Sequence, residues 1–116
     1  MTTDIGLAAE RWLAEQLTRR RVRIRHRRYA CRMGEIDLVL ETPETIVMVE
    51  VRYRQRLTRA VESVDRHKRR RLRACAQFWL ANNPTDKPVR FDTVGVCGGA
   101  PAFRCRWITN AFEMDD

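Results

Sequence analysis

The stretch Gly34-Glu35-Ile36-Asp37-Leu38-Val39-Leu40-Glu41-Thr42-Pro43-Glu44-Thr45-Ile46-Val47-Met48-Val49-Glu50-Val51-Arg52-Tyr53-Arg54 decides the fold. Two runs rich in β-branched residues flank Thr42-Pro43-Glu44-Thr45, whose chemistry favours a turn, so the stretch reads as an antiparallel hairpin. Side chains alternate along a strand, which places Glu35, Asp37, Val39 and Glu41 on one face of the first arm. Ile46, Met48, Glu50, Arg52 and Arg54 share the matching face of the second arm. The other faces carry Ile36, Leu38 and Leu40 against Val47, Val49, Val51 and Tyr53, and these residues are expected in a core.

If the loop closes between Glu41 and Ile46, Asp37 lies opposite Glu50 and Glu35 opposite Arg52. Directly opposed side chains have Cβ atoms about 5 Å apart, a spacing at which like charges destabilise a sheet. A slip of one residue would bury the charges and expose the valines, so the face assignment is firm. Two carboxylates held that close suit a hard divalent cation, which takes carboxylate, water and phosphate oxygens. Such an ion polarises a phosphodiester and lowers the pKa of an attacking water. The alternative is a solvated hairpin face with Glu35–Arg52 and Glu50–Arg54 ion pairs.

Working outward, Asp4 can cap a first helix running to about Arg20, with Ile5, Ala9, Trp12, Leu13 and Leu17 on its apolar side. Glu10 lies on its flank and reads first as a surface glutamate. The segment 19–32 holds eight arginines and no acid. Within it Val22-Arg23-Ile24-Arg25-His26 alternates like a strand with one basic face. After the hairpin a helix is expected over Val61 to Ala81, ended by Asn82-Asn83-Pro84. Val89 to Val96 is a fourth strand and Phe103 to Ile108 a short fifth. On the second helix Val61, Val64, Lys68, Leu72, Cys75 and Trp79 recur at helical spacing, which places Lys68 on the inward stripe. Lys68 then either reaches the carboxylates or snorkels past the sheet edge. Asp92 shares a strand face with Arg90 and reads as its ion-pair partner. Trp12, Phe78 and Trp79 are expected in the core.

The order α-β-β-β-α-β-β describes one α/β domain over residues 1–116, a mixed sheet flanked by helices. Its 116 residues suffice for one hydrophobic core. No apolar run is long enough to span a bilayer and Met1-Thr2-Thr3-Asp4 begins no export signal, so a cytoplasmic protein without a membrane partner is expected. Cys31, Cys75, Cys97 and Cys105 form no C-x-x-C pair. They are expected as reduced thiols, with Cys75 in the core, and their spacing disfavours a zinc site with His26 or His67.

Charge points to the partner. The chain carries 23 Lys+Arg against 15 Asp+Glu, a net charge of +8, and only Lys68 and Lys87 are lysines. Arginine grips phosphate through a planar fork, which suits a nucleic-acid partner; a GC-rich coding sequence would produce the same ratio. Arg19, Arg21, Arg23, Arg25, Arg28, Arg54, Arg69 and Arg70 are the candidate nucleic-acid contacts. Phosphate contacts read no sequence, so structure selectivity is expected ahead of sequence selectivity.

The motifs resemble a known family. Gly6-x-x-Ala9-Glu10, Gly34-Glu35-Ile36-Asp37-Leu38-Val39 and Val49-Glu50-Val51-Arg52-Tyr53-Arg54 look like the YraN-like family, as do Ser63-Val64-x-x-x-x-Lys68, Arg90-Phe91-Asp92 and Asn110-Ala111-Phe112. That family is a predicted member of the PD-(D/E)XK, restriction-endonuclease-like superfamily, similar to archaeal Holliday-junction resolvases, with an αβββαβ core. The resemblance implies a metal-dependent endonuclease acting on DNA more readily than RNA, with branched or junction structures as substrates and a homodimer supplying two sites. By motif position Asp37 and Glu50 would be the metal-binding acids and Glu10 would complete the site around Mg²⁺ or Mn²⁺. The lysine position of the E-x-K element holds Arg52, which stays protonated and cannot easily accept a proton from water. Lys68 is the candidate to take that role. The proline of the superfamily name is absent, Ile36 standing before Asp37. The competing reading is a non-catalytic nucleic-acid-binding module of the same fold.

Overall fold

The computed structural model describes residues 4–56, 64–99 and 102–114. Helix α1 spans Asp4–Arg19 and is followed by strands β1 (Arg23–Cys31), β2 (Gly34–Glu41) and β3 (Ile46–Tyr53). Helix α2 (Arg66–Asn82) and strands β4 (Val89–Cys97) and β5 (Arg104–Phe112) complete the order. The sheet runs β1-β2-β3-β4-β5 in space. β3 and β4 are parallel, joined across the sheet by α2, and every other neighbouring pair is antiparallel. This is the expected mixed α/β architecture. Among the described residues no helix is long and apolar enough to cross a membrane.

Both faces of the sheet are covered. On one, α1 packs Ala9, Leu13, Ala14 and Leu17 against Leu38, Leu40, Val47, Val49, Val94 and Val96. On the other, α2 packs Leu72, Cys75, Ala76 and Trp79 against Ile36, Val39, Ile46, Met48 and Phe91. Covering both faces is what a parallel pair demands, because its crossover helix must lie on the sheet. Between Glu41 at the turn and Asp37 and Glu50 at the other end, the hairpin arms are therefore apolar on both sides.

The hairpin closes as the sequence requires. Thr42 N donates to Thr45 O at 2.9 Å, and Thr42 Oγ1 accepts from Thr45 N at 3.0 Å. Glu41 pairs with Ile46, Leu40 with Val47, Val39 with Met48 and Leu38 with Val49. There the ladder ends. The direct pairing of Asp37 with Glu50 and of Glu35 with Arg52 does not form, because Val51 N donates to the Asp37 carboxylate, Oδ2, at 2.6 Å. The β1–β2 ladder breaks at the same level, skipping from Arg27↔Leu38 to Tyr29↔Ile36, and Arg28 between them has φ +54°. Leu38 faces α1 whereas Ile36, two residues away, faces α2. Strict alternation would have kept them together, so Ile36 is core but in the layer opposite to the expected one.

Other boundaries move for local reasons. The expected helix start at Val61, with its place on the apolar stripe, lies outside the described residues. Val64 and Asp65 are already non-helical, and the Asp65 side chain caps α2 by accepting Lys68 N at 2.9 Å. β1 runs on to Cys31 past a bulge between Ile24 and His26. β5 is not short. It continues to Phe112 because Asn110, at φ +54°, forms a bulge whose N–H donates to Asp92 Oδ1 at 2.9 Å. Ile5 and Phe78, expected on apolar faces, are 42% and 50% exposed. Trp79 is fully buried, its Nε1 donating to His26 Nδ1 at 2.6 Å, while half-buried Trp12 packs on Phe103. Val51 and Tyr53 are only half-buried, at the open end of the hairpin.

Candidate functional site

The break at Asp37 opens the sheet between β2 and β3, and a groove of about 930 Å³ forms over the opening. Glu10 enters it from α1, Glu35 and Asp37 from β2, Glu50 and Arg52 from β3, and Lys68 from α2. Arg28, Arg54 and Arg71 line its rim. The structure thus brings together Asp37, Glu50, Glu10, Arg52 and Lys68, all the residues the sequence assigns to catalysis, in one cavity.

Glu10 is not the surface residue of its first reading. It is 8% exposed, beside fully buried Ala9, and its Oε2 has no hydrogen-bond partner. One carboxylate oxygen each from Glu10, Glu35 and Asp37 falls within 4.8 Å of the others. Glu50, 6% exposed, faces α2, where Lys68 Nζ meets its Oε1 at 2.5 Å. Glu50's ion-pair partner is therefore Lys68 and not Arg54, whose guanidinium donates to Tyr53 O. Lys68 itself is half exposed, so it does not sit on a buried stripe; its stem runs along the groove wall and its ammonium reaches in.

These positions raise the carboxyl pKa values. Burial, then the hydrogen bond and charge of Glu10, push Asp37 from the usual 3.8 up to about 8, against the Val51 N–H that favours the ionised form. Burial and the Asp37 charge push Glu50 up to about 7, with Lys68 pulling the other way. The crowding and burial that keep Asp37 from ionising, and the unpartnered buried oxygen of Glu10 beside it, both call for added positive charge. A hard divalent cation with oxygen ligands supplies it, so the residues present fit Mg²⁺ or Mn²⁺. Among the described residues the metal-spaced cluster contains neither Cys nor His, in keeping with free thiols at Cys31, Cys75, Cys97 and Cys105. Cys75 is wholly buried and burial pushes its thiol up to about 12.

The candidate nucleic-acid arginines divide. Arg28 and Arg54 line the groove and Arg70 is exposed on α2. Arg23 and Arg25 reach Glu41 at 3.4 and 2.7 Å at the far end of the sheet, and Arg25 also lies over the Trp79 ring. Arg69 donates to Val64 O at 2.8 Å and lies over Phe112. Arg19 and Arg21, at the exposed end of α1, lie outside the groove. Sequence reasoning gave Glu35 no role beyond an ion pair. The i, i+2 spacing of Glu35 and Asp37 was the available signal.

Fold and site together define an α/β domain with a carboxylate cluster inside a basic groove. The chain belongs to the uncharacterised protein family UPF0102, the YraN-like family, whose profile matches residues 9–96. It is 49% identical over 110 residues to a UPF0102 protein of Methylococcus capsulatus, covering 93% of this chain and 89% of that one. It is 44% identical over 117 aligned positions to a UPF0102 protein of Alcanivorax borkumensis, covering 97% and 94%. A UPF0102 protein of Nitrosococcus oceani is 39% identical over 116 positions, again covering 97% and 94%.

Proposed function

We propose that this protein is a metal-dependent endonuclease acting on DNA in the cytoplasm, with branched or junction structures ahead of plain duplex. The observation that carries the reading is the meeting of Glu10, Asp37 and Glu50, from three separate elements, in one arginine- and lysine-lined groove, with Glu10 Oε2 buried and unpartnered. The element order, and these acids at the positions of the PD-(D/E)XK pattern, support membership of that superfamily.

Asp37, Glu50 and Glu10 would hold Mg²⁺ or Mn²⁺, which when bound supplies a polarised phosphate and a more acidic water. Arg28, Arg54 and Arg71 would seat the phosphate backbone along the groove. Lys68, its ammonium on Glu50, would steady negative charge developing at the scissile phosphate, and Arg52 would do so from the sheet side. Arg52 stays protonated and so would not accept a proton from water. Junction resolution needs two cuts, which a homodimer would supply.

A non-catalytic nucleic-acid-binding module is the second reading, favoured by the short Lys68–Glu50 pair, which already neutralises one of the acids. The test is cleavage of labelled single-stranded, duplex, flap and four-way-junction DNA with Mg²⁺, Mn²⁺ or EDTA, alongside Asp37→Asn protein purified identically. Metal-dependent cuts absent from the variant are expected. Salt-sensitive binding by wild-type protein with no cut in any substrate would replace the enzyme by the binding module.

A further inference from the structure

We infer that Glu35 is a direct ligand of the divalent cation, forming with Glu10 and Asp37 a three-carboxylate cradle on the α1 side of the sheet. The inference rests on the metal reading above and extends it to a residue outside the acids that reading names.

Placement comes first. Glu35 and Asp37 are two apart on β2, with Ile36 between them turned towards α2. The layer switch between Ile36 and Leu38 leaves the two acids on the side from which α1 delivers Glu10. The result is the set of three carboxylate oxygens within 4.8 Å of one another. On the other side of the opening Glu50 has its cation in place, since Lys68 Nζ touches it at 2.5 Å.

The second observation is independent of the clustering. Glu10 is more than nine-tenths buried, and its Oε2 has no hydrogen-bond partner. A buried carboxylate oxygen without a donor costs on the order of 1–3 kcal/mol or more, which proteins rarely tolerate without use. Glu35's own counter-charge is weak: Arg28 Nε stands 3.6 Å from Oε1, beyond hydrogen-bond range, and both side chains are a third or more exposed. A pair of that kind contributes little. It is readily exchanged for a cation that binds Glu35 and the orphaned oxygen of Glu10 together. A phosphate reaching this cation would then meet the Arg28 guanidinium released from Glu35.

The experiment is Mn²⁺ binding by the full chain in cation-free buffer, read by electron paramagnetic resonance of free Mn²⁺ and by the Mn²⁺-induced rise in melting temperature. Wild type is compared with Glu35→Gln, Glu35→Asp, Asp37→Asn and, as an exposed control, Glu44→Gln. Glu35→Gln is expected to weaken Mn²⁺ binding about tenfold or more and to abolish the thermal shift, as Asp37→Asn does. Glu35→Asp should restore part of both, and Glu44→Gln should change neither. The metal-free melting temperature of Glu35→Gln should equal or exceed that of wild type, because crowding of carboxylates is relieved. Mn²⁺ affinity of Glu35→Gln within twofold of wild type would overturn the assignment, as would a wild-type protein that binds no Mn²⁺. If binding depends on Glu35 while no DNA substrate is cut, the ligand assignment stands and the nuclease reading falls.

Discussion

Replacing Asp37 by Asn should make the metal-free protein more stable while removing its proposed activity. Asn retains an oxygen to accept the Val51 N–H, now 2.6 Å from Oδ2, and its amide can donate to Glu10. What it removes is the cost of ionising a partly buried carboxyl beside two other acids. That carboxyl titrates near 8 in the folded chain against 3.8 when exposed, so between these values the native state holds the extra proton. Stability therefore falls as pH rises from about 4 to about 8 and levels off above, since the slope follows the protons bound by the unfolded minus the native state. At about 1.4 kcal/mol per pH unit the full loss is at most about 6 kcal/mol. Water entry and relaxation around the opened sheet reduce it, and about 3 kcal/mol is expected. The assay is urea unfolding followed by tryptophan fluorescence in EDTA from pH 4.5 to 8.5. The variant should exceed wild type by about 3 kcal/mol at pH 8.5, with the gap narrowing steadily towards pH 4.5. Glu50, pushed up to about 7 by burial and by the Asp37 charge, adds a residual slope that is smaller in the variant, which lacks that charge. Glu41, held near 2 by Lys87 and Arg25, loses its contribution only below the window. A constant difference across the range, or a variant less stable at pH 8.5, would refute the reasoning.

Further substitutions probe separate parts of the structure. Lys68→Ala leaves Glu50 without the partner now at 2.5 Å and should lower the cleavage rate about tenfold or more, whereas Arg70→Ala, on the exposed side of α2, should act mainly through salt-dependent binding; equal effects would make Lys68 only a phosphate contact. Asp92 is 1% exposed and accepts from Arg90 Nε and Nη2, Trp107 Nε1 and Asn110 N, so Asp92→Ala should cost about 3–5 kcal/mol in urea unfolding, a loss below about 1 kcal/mol contradicting the network. Gly98 has φ +88° and a Cβ there would lie 2.7 Å from Ala102 O, so Gly98→Ala should destabilise by about 1–3 kcal/mol, measured as a fall in melting temperature with the Mn²⁺ shift retained.

Much of the fold was legible because the hairpin alternates with period two around a clear turn, and that pattern alone dictates Glu41 opposite Ile46 and Leu38 opposite Val49. The crossover between β3 and β4 was legible from the helical run between two β-rich segments. What period two cannot report is which polar-looking face a helix will cover. Val39 and Met48 share a strand face with charged residues, yet both are buried beneath α2. The histidine contact to the core was equally hidden: exposed His26 sits in a run of arginines, and the β1 bulge beside it accompanies its contact with buried Trp79 Nε1.

The site shows the same limit more sharply, and the reason is one residue of backbone. Alternation predicts Asp37 and Glu50 side by side on the face that α2 covers, with Glu10 on α1 remote from both. Had the ladder continued, Val51 N–H would have served the sheet and the Asp37 carboxylate would have been confined to that side. Instead Arg28 adopts φ +54°, a conformation that costs a non-glycine residue about 1–2 kcal/mol, and the β1–β2 ladder, in one register on either side, lacks a pair at Asp37. Val51 N–H is left to hold Asp37 within the gap. Asp37 can then address Glu10 and Glu35 on one side and Glu50 on the other, which a regular strand could not allow. An arginine in the left-handed region has no compositional signature of the kind glycine or asparagine gives, so the sequence could name the acids but not the opening that unites them. Local strain at Arg28 and crowding at Asp37 are two sides of one arrangement. The fold gives up a continuous ladder at this level, and what it gains is a carboxylate reachable from both layers of the domain.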